Sequence, residues 1–472
     1  SGCLQGVIAQ PFQKGDEKLA LENAKKYSEL FKDRFYIEIQ RNGIDLQDEV
    51  NEKLIKVARD LDLPLVATCD AHFLNKEDAE VQEVLWAIAD GETLDDPTRR
   101  TILSEEFYVK TPEEMKLLFK DLPEAIENTQ KIADRIEDYD ISFGRIEPPY
   151  TELPDKTTPK EYIRQLAYDG CEKLYGKITP ELKERLDYEL SVIDDKGYND
   201  YFLVVHMIVQ FCHENDIVIS MRGSGTGSLV AYSLGITSID PIKWELYFER
   251  FLNPERKSSP DFDIDLEDRQ RDKVLDFVIE KYGEDNVKQI ITFSKLQTRQ
   301  AIRDVSRVLG IDLTTSDKLS KMVTILFGKS KSIDYMLETN PEFKEITDST
   351  EQLQKMVKIV RKITGLARGV SKHACGIVIS PEPVNEYVPV QKDSKNSDGM
   401  GITQYEFMQL EDVGLLKFDF LGLRNLNVIG NALKKIEAAK GVDIDLRTID
   451  PQDEKAFSLI RNCDTVGIFQ ME

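Results

Sequence analysis

In the stretch Pro260-Asp261-Phe262-Asp263-Ile264-Asp265-Leu266 three carboxylates stand at alternate positions, with Phe262, Ile264 and Leu266 interleaved. Period-two alternation predicts a strand with one face buried, and on a strand it puts all three aspartates on the same side. Two like charges about 5 Å apart repel by roughly 3 kcal/mol at an effective dielectric near 20. Such a row is a poor choice for stability alone. One divalent cation, or a pair, would offset the repulsion, so the pattern points to a metal site. Upstream, the loop Arg222-Gly223-Ser224-Gly225-Thr226-Gly227-Ser228 sets glycines at alternate positions. They let the backbone approach an anion closely, and the helix predicted from Ser228 to Gly235 would aim its free amide groups and dipole at it. A loop that holds phosphates, followed by a strand that holds cations, is what nucleotidyl transfer requires. The same glycines would also serve a tight turn. Two acids with one residue between them recur at Asp60/Asp62, Asp138/Asp140 and Asp443/Asp445. The third carboxylate in register and the intervening cations Arg250, Arg256 and Lys257 set the central stretch apart.

A second alternating strand is predicted from Leu415 to Leu421, with Lys417 and Asp419 on one face and Phe418 and Phe420 on the other. That pair is read either as a buried salt bridge or as a further metal carboxylate beside an ammonium that reaches a phosphate. On the helix predicted from Lys295 to Leu309, Arg299, Arg303 and Arg307 recur every four residues and form one cationic stripe. From 317 to 331, Lys318, Lys321, Lys329 and Lys331 face a single acid. The stripe is either a solvated face paired with nearby acids or a contact to a phosphate backbone, which is electrostatic and independent of base sequence.

The elements that must position these groups follow from periodicity. Phe35 to Arg41 reads as a strand and Leu46 to Leu61 as an amphipathic helix. Leu63 to Thr68 reads as a doubly buried strand, and together the three make a βαβ unit. Asp70 and His72 fall where its second strand ends, the usual place for ligands in parallel barrels. With Cys3 they offer carboxylate, imidazole and thiolate to a metal; alternatively, Asp70 and His72 simply hydrogen-bond to the loop. One such unit cannot close a barrel, so its partner strands are expected before Ser1. Helices are predicted at Pro112 to Leu118, Pro123 to Arg135, Pro159 to Leu174, Pro180 to Asp195 and Asp200 to Asn215. The prolines between Ile141 and Pro159 mark a domain boundary. His206 and His213, seven residues apart, are too distant for one metal and read as packing and surface residues. A helix (Asp268 to Tyr282), a strand (Val287 to Phe293) and an apolar strand (Gly376 to Ser380, preceded by Lys372 and His373) follow. A hairpin turning near Asp398-Gly399 leads to the second alternating strand, and Arg424 to Lys440 and Pro451 to Arg461 are helical.

The chain has 472 residues, enough for about three domains, with ordinary apolar content and abundant charge. A net charge of −24 argues against long-range steering onto nucleic acid but leaves room for a local basic groove. Six irregularly spaced cysteines without a CxxC pair, and no signal peptide, suit reduced thiols in a cytoplasm. No stretch approaches the ~20 apolar residues that span a bilayer. The abrupt start at Ser1-Gly2-Cys3 and the stop at Met471-Glu472 suggest an excerpt of something longer.

Four segments carry a close resemblance: 222–232 (RGSGTGSLVAY), 248–256 (FERFLNPER), 260–265 (PDFDID) and 417–423 (KFDFLGL). In order, and with nearly the whole chain between and around them, they resemble the C family of bacterial replicative DNA polymerases, the polymerase III alpha subunits. The resemblance implies an α/β and α+β multidomain chain. Residues 1–140 would be the C-terminal part of a polymerase-and-histidinol-phosphatase (PHP) barrel. Residues 141–292 and 371–422 would form a palm of the polymerase-beta nucleotidyltransferase type, with a helical thumb, 293–370, inserted between them. The fingers would begin at 423. It implies Asp261, Asp263 and Asp419 as catalytic carboxylates for two Mg2+ ions, with Asp265 accessory. Arg222, Gly223, Ser224 and Lys417 would meet the triphosphate, and Arg299, Arg303, Lys318 and Lys321 the DNA. Cys3, Asp70 and His72 match three ligand positions of a PHP site for Zn2+ or Mn2+, whose remaining ligands the chain lacks. Partners would be primer-template DNA, dNTPs and, through segments this chain does not include, a sliding clamp and other replisome subunits. Two rivals remain: a metal-dependent phosphoesterase or 3′-5′ exonuclease centred on the PHP residues, and a fragment that binds nucleic acid without turnover.

Overall fold

Ile37 and Ile39 alternate with half-buried neighbours, as do Leu65 and Ala67, and they fall on β1 (Ile37–Gln40) and β2 (Leu65–Thr68). These strands pair in parallel, with Ile37 opposite Leu65 and Gln40 opposite Thr68. The helix Asp45–Asp60 joins them and buries Val50, Leu54 and Val57. A parallel pair requires such a crossover, and the expected βαβ unit is present. The structure, a computed structural model, describes all residues except 140–142, 145, 256–258, 394–399, 447, 448, 450, 451 and 472. Arg256, Lys257 and the turn at Asp398-Gly399 therefore lie outside the described residues. The further strands are β3 (Ile219–Arg222), β4 (Asp263–Glu267), β5 (Val287–Lys295), β6 (Ile325–Leu326), β7 (Lys329–Ser330), β8 (Ala367–Ile379), β9 (Val390–Gln391), β10 (Ile402–Thr403) and β11 (Lys417–Leu423).

The chain divides into two compact units, Ser1–Asp140 with Lys295–Arg368, and Ile141–Ser294 with Gly369–Glu472. In the first unit the βαβ segment has its own core, completed by Ile8, Phe12, Phe119, Leu122 and Ala125. The helices Thr298–Val308, Leu313–Met322, Ile333–Thr339, Pro341–Asp348 and Glu351–Ile363 build a second core, which Val84 and Ala87 of the helix Ala79–Asp90 enter. Asp312, Ser332, Asn340 and Thr350 cap four of these helices by accepting from backbone amides of the first turn.

The second unit is organised by a seven-stranded mixed sheet in the order β3-β4-β11-β8-β5-β10-β9. β11 runs parallel to β4 and antiparallel to β8, and β3 runs antiparallel to β4. Ile264, Leu266, Ile377, Ile379, Phe418 and Phe420 point into a large core shared with the helices Pro159–Tyr175, Pro180–Asp195, Asn199–Glu214 and Arg271–Tyr282. Val378 points the other way, into a smaller core with Ile290, Val384 and Leu415. Strand alternation dictates this division, and it leaves Asp263, Lys417 and Asp419 on the face opposite the large core. Among the described residues no helix is long and apolar enough to cross a membrane.

Candidate active site

Register brings the carboxylates together. Asp263, the first residue of β4, lies directly opposite Asp419 of β11; Arg222, the last residue of β3, lies opposite Asp263; and Gly376 of β8 lies opposite Asp419. Residues paired in this way point to the same side of a sheet, with strands about 4.8 Å apart. Asp261 is not on the strand, which begins at Asp263 rather than at Pro260 as the alternation suggests. Its neighbour Phe262 anchors it instead. That ring is buried against Tyr201, Phe202 and Phe251, and its backbone amide donates to the Tyr201 hydroxyl at 3.2 Å. Carboxylate oxygens of Asp261, Asp263 and Asp419 consequently all lie within 4.8 Å of one another.

Lys417, two residues before Asp419 and on the same face, places its ammonium 2.6 Å from Asp419 and 3.1 Å from Asp261. Both readings of this pair thus have a basis in the geometry: a buried salt bridge, within a carboxylate cluster. One ammonium against three carboxylates leaves two formal negative charges uncompensated. Asp261 Oδ1 and Asp419 Oδ1 are buried and accept no hydrogen bond. Orphaned acceptors of this kind are costly without a partner. An all-oxygen donor set with a net charge near −2 fits a hard divalent cation such as Mg2+ or Mn2+.

Asp265 shares the face of Asp263 but is buried and held by the Arg222 guanidinium in a two-point contact, Nη2 to Oδ1 at 2.7 Å and Nε to Oδ2. It is not grouped with the other three. Gly223 has a positive φ of 80°, and a Cβ built there would lie 3.1 Å from Asp263 Oδ2, so the loop backbone presses against the cluster. The other two glycines serve packing, not an anion. A Cβ on Gly225 would stand 2.7 Å from the Phe262 ring, and one on Gly227 2.7 Å from the Tyr247 carbonyl. The helix that follows also departs from expectation. It is only Leu229–Ser233, and its first amides, those of Leu229 and Val230, donate at 3.0 Å to the buried carboxylate of Glu189, to which the Ser228 hydroxyl donates at 2.8 Å. An internal acid, itself paired with Arg185, satisfies these donors, so they do not point at a ligand.

Burial and the nearby Asp419 push the Asp261 carboxyl up to about 6, with Lys417 opposing, and the same causes raise Asp263. A folded state that keeps its proton to higher pH than the unfolded chain gains stability as pH falls through that raised value toward the ordinary carboxylate range near 4. The metal-free chain is therefore expected to gain on the order of 1 kcal/mol from this site between about pH 7 and 4, discounted because the Asp261 side chain is 42 % exposed. Urea unfolding of the chain and of Asp261→Asn across that range isolates the contribution as the difference between the two pH profiles. A divalent cation should erase it by competing with the proton.

The remaining expected residues are more dispersed. Ser224 is exposed at the start of a short turn, Ser224–Gly227. In the first unit Arg303 pairs with Asp317 at 2.9 Å, Lys321 with Asp317 at 2.6 Å and Lys318 with Glu342 at 2.7 Å, all partly exposed. Arg299 has a buried Nε without a partner, and Arg307 donates to the Glu92 carbonyl. Asp70 and His72 face each other at 3.5 Å, but Cys3 does not join them: the described residues gather three potential ligands only at Asp261/Asp263/Asp419 and at His373/Cys375/Asp419. The second group escaped sequence reasoning, although His373-Ala374-Cys375 does show imidazole and thiol at strand spacing. His206 Nδ1 donates to the Leu234 carbonyl oxygen at 2.7 Å, a packing role. All six cysteines are free.

Residues 161–422 match the model of the bacterial DNA polymerase III alpha NTPase domain, and 425–472 that of the alpha subunit finger domain. The chain belongs to the bacterial DNA polymerase III alpha family. It is 41 % identical over its whole length to the DNA polymerase III subunit alpha of Borreliella burgdorferi, covering 41 % of that protein. It is 37 % identical to the subunit of Thermus aquaticus, covering 43 % of it. Against that of Bacillus subtilis it is 38 % identical over 99 % of the chain and 41 % of the relative. The chain thus spans about two-fifths of the length of these alpha subunits.

Proposed function

We propose that the chain carries the nucleotidyl-transfer centre of a template-directed DNA polymerase, joining a dNTP to a primer 3′-hydroxyl. The observation that carries this reading is the pairing of Asp263 with Asp419 across β4 and β11, with Asp261 beside them and two buried oxygens unpartnered. Asp261, Asp263 and Asp419 would hold two Mg2+ ions, which when bound supply an activated primer hydroxyl and neutralise the leaving pyrophosphate. Lys417 holds Asp261 and Asp419 in place and lies within reach of a triphosphate. Gly223 offers backbone against Asp263, and Ser224 an exposed hydroxyl. Arg222, fixed by Asp265, presents a positioned guanidinium at the edge of the cluster. Within this reading residues 141–292 and 371–422 are the palm, 293–370 the thumb, 1–140 the end of a PHP barrel, and 423 onward the fingers.

The phosphoesterase reading, with Zn2+ or Mn2+ at Cys3, Asp70 and His72, has only the contact between Asp70 and His72 in its favour. Incorporation of a single templated nucleotide, measured on this chain and on a version extended at both ends, separates the readings. A product that depends on the template base and is lost in Asp419→Asn supports the polymerase. Hydrolysis of the primer end that survives Asp419→Asn would refute it.

For DNA contact, exposed ion pairs such as Arg303–Asp317 are weak and screened by solvent, so a phosphate can displace them. Replacing Arg299 and Arg303 together by alanine is expected to reduce the salt slope of primer-template binding by about 2, alike for all sequences. Fluorescence anisotropy over a salt series reads this directly, and an unchanged slope would leave both arginines as structural.

A further inference from the structure

Asp419 has two sides. Its Oδ2 meets Lys417, while its Oδ1 is buried, makes no hydrogen bond and faces β8. A Cβ built on Gly376 would lie 3.1 Å from that oxygen and 2.8 Å from His373 Nδ1. The absent side chain at Gly376 therefore lets carboxylate and imidazole crowd together against the strand backbone. Cys375 Sγ lies 3.6 Å from His373 Nδ1, and potential ligand atoms of His373, Cys375 and Asp419 all lie within 4.8 Å of one another. Asp419 is 4 % exposed, and the other two residues are half-buried.

We propose that His373, Cys375 and Asp419 form a distinct site for a borderline divalent cation of the Zn2+ class, and that its occupancy draws Asp419 away from Asp261 and Asp263. The donor chemistry separates the two clusters: one offers sulfur, nitrogen and one oxygen, the other oxygen alone. The geometry is close to what such an ion needs. A tetrahedral ion about 2.3 Å from sulfur and about 2.05 Å from nitrogen sets those ligands about 3.6 Å apart, the separation found here. A water would complete the four ligands such an ion takes. Binding releases the Cys375 thiol proton to solvent, because the thiolate is the ligand. It also displaces the hydrogen bonds that the Gly376 and Cys375 amides donate to His373 Nδ1, at 2.7 Å and 3.4 Å. The first half of the proposal is independent of the catalytic reading. The second half, competition for Asp419, rests on it.

The test uses Co2+ as a spectroscopic probe and Zn2+ as competitor on the metal-free chain. The unaltered chain should show a thiolate-to-Co2+ charge-transfer band that one equivalent of Zn2+ bleaches. Cys375→Ser should remove the band, and His373→Ala should weaken binding by at least about tenfold. A band that persists in Cys375→Ser, arising from exposed Cys3 or Cys463, overturns the site. Zinc-edge X-ray absorption on the unaltered chain needs no variant: one sulfur with imidazole nitrogen supports the proposal, and oxygen alone or several sulfurs overturns it. Excess Mg2+ should weaken apparent Zn2+ affinity, and Asp263→Ala should relieve that effect while the band remains. A band insensitive to Mg2+ sinks the competition and leaves the polymerase reading to its own experiment.

Discussion

Asp263→Ala is expected to abolish primer extension in a version of the chain extended at both ends, by at least about a thousandfold at saturating dNTP. A loss of that size corresponds to about 4 kcal/mol of transition-state stabilisation, the scale reached when one preorganised electrostatic partner is removed. The fold should not suffer. Asp263 is exposed, makes no ion pair among the described contacts, and is raised above its ordinary pKa by burial and by Asp419. Deleting it relieves repulsion, so unfolding of the metal-free variant should occur at the same or a higher urea concentration. On the same preparation primer extension should therefore be lost while resistance to urea is kept or increased. Extension near the unaltered rate would end the assignment of Asp263 as a metal ligand.

The second large effect is expected at Lys417. Among the described residues its ammonium is the one cation paired with both Asp261 and Asp419, and Lys417 and Asp419 are 12 % and 4 % exposed. Removing one partner of a buried pair costs about 3–5 kcal/mol because the other charge is left uncompensated. Lys417→Met should therefore lower the metal-free stability by about 3 kcal/mol at neutral pH. Two treatments should restore it: acidification, which protonates the freed carboxylates, and millimolar Mg2+ or Mn2+, which replaces the missing charge. Calorimetry with and without the cation reads the rescue. A loss that neither treatment recovers would mean Lys417 acts through packing, for which its contact over the Phe407 ring at 4.6 Å is the available route.

Much of this arrangement was legible in the sequence because the decisive residues obey simple periods. The alternation at 417–421 gives the two faces of β11, the apolar stripe of 46–61 gives the crossover helix, and the prolines at 112, 123, 159 and 180 open helices at those positions. Other features left weaker marks. The helix Glu17–Phe31 buries only Ala20 and Ala24, residues too small to draw an apolar stripe. β8 extends back to Ala367 through polar, exposed residues, so only its apolar end was visible. The role of Glu189 could not be read at all, because its partners lie some forty residues away at Ser228–Val230 and nothing local marks it as buried. The resemblance, rather than spacing, separated Asp265 from the other aspartates. In the structure Asp265 is held by the Arg222 guanidinium, a pairing that spacing could not show.

The parallel pairing of β4 with β11 joins residues about 150 positions apart in the chain. Closing so long a loop carries an entropic cost that grows slowly with length, but it delays the contact, since non-local pairs form late. As the polypeptide leaves the ribosome, β4 is complete long before its partner has been translated. Through that interval Asp263 stands at the end of an unfinished sheet with Asp261 beside it, and a divalent ion gains little by binding them. Assembly of the cation-holding surface is thus timed to the arrival of Lys417–Leu423, and a nascent chain arrested before that strand would show no magnesium-dependent protection from proteolysis.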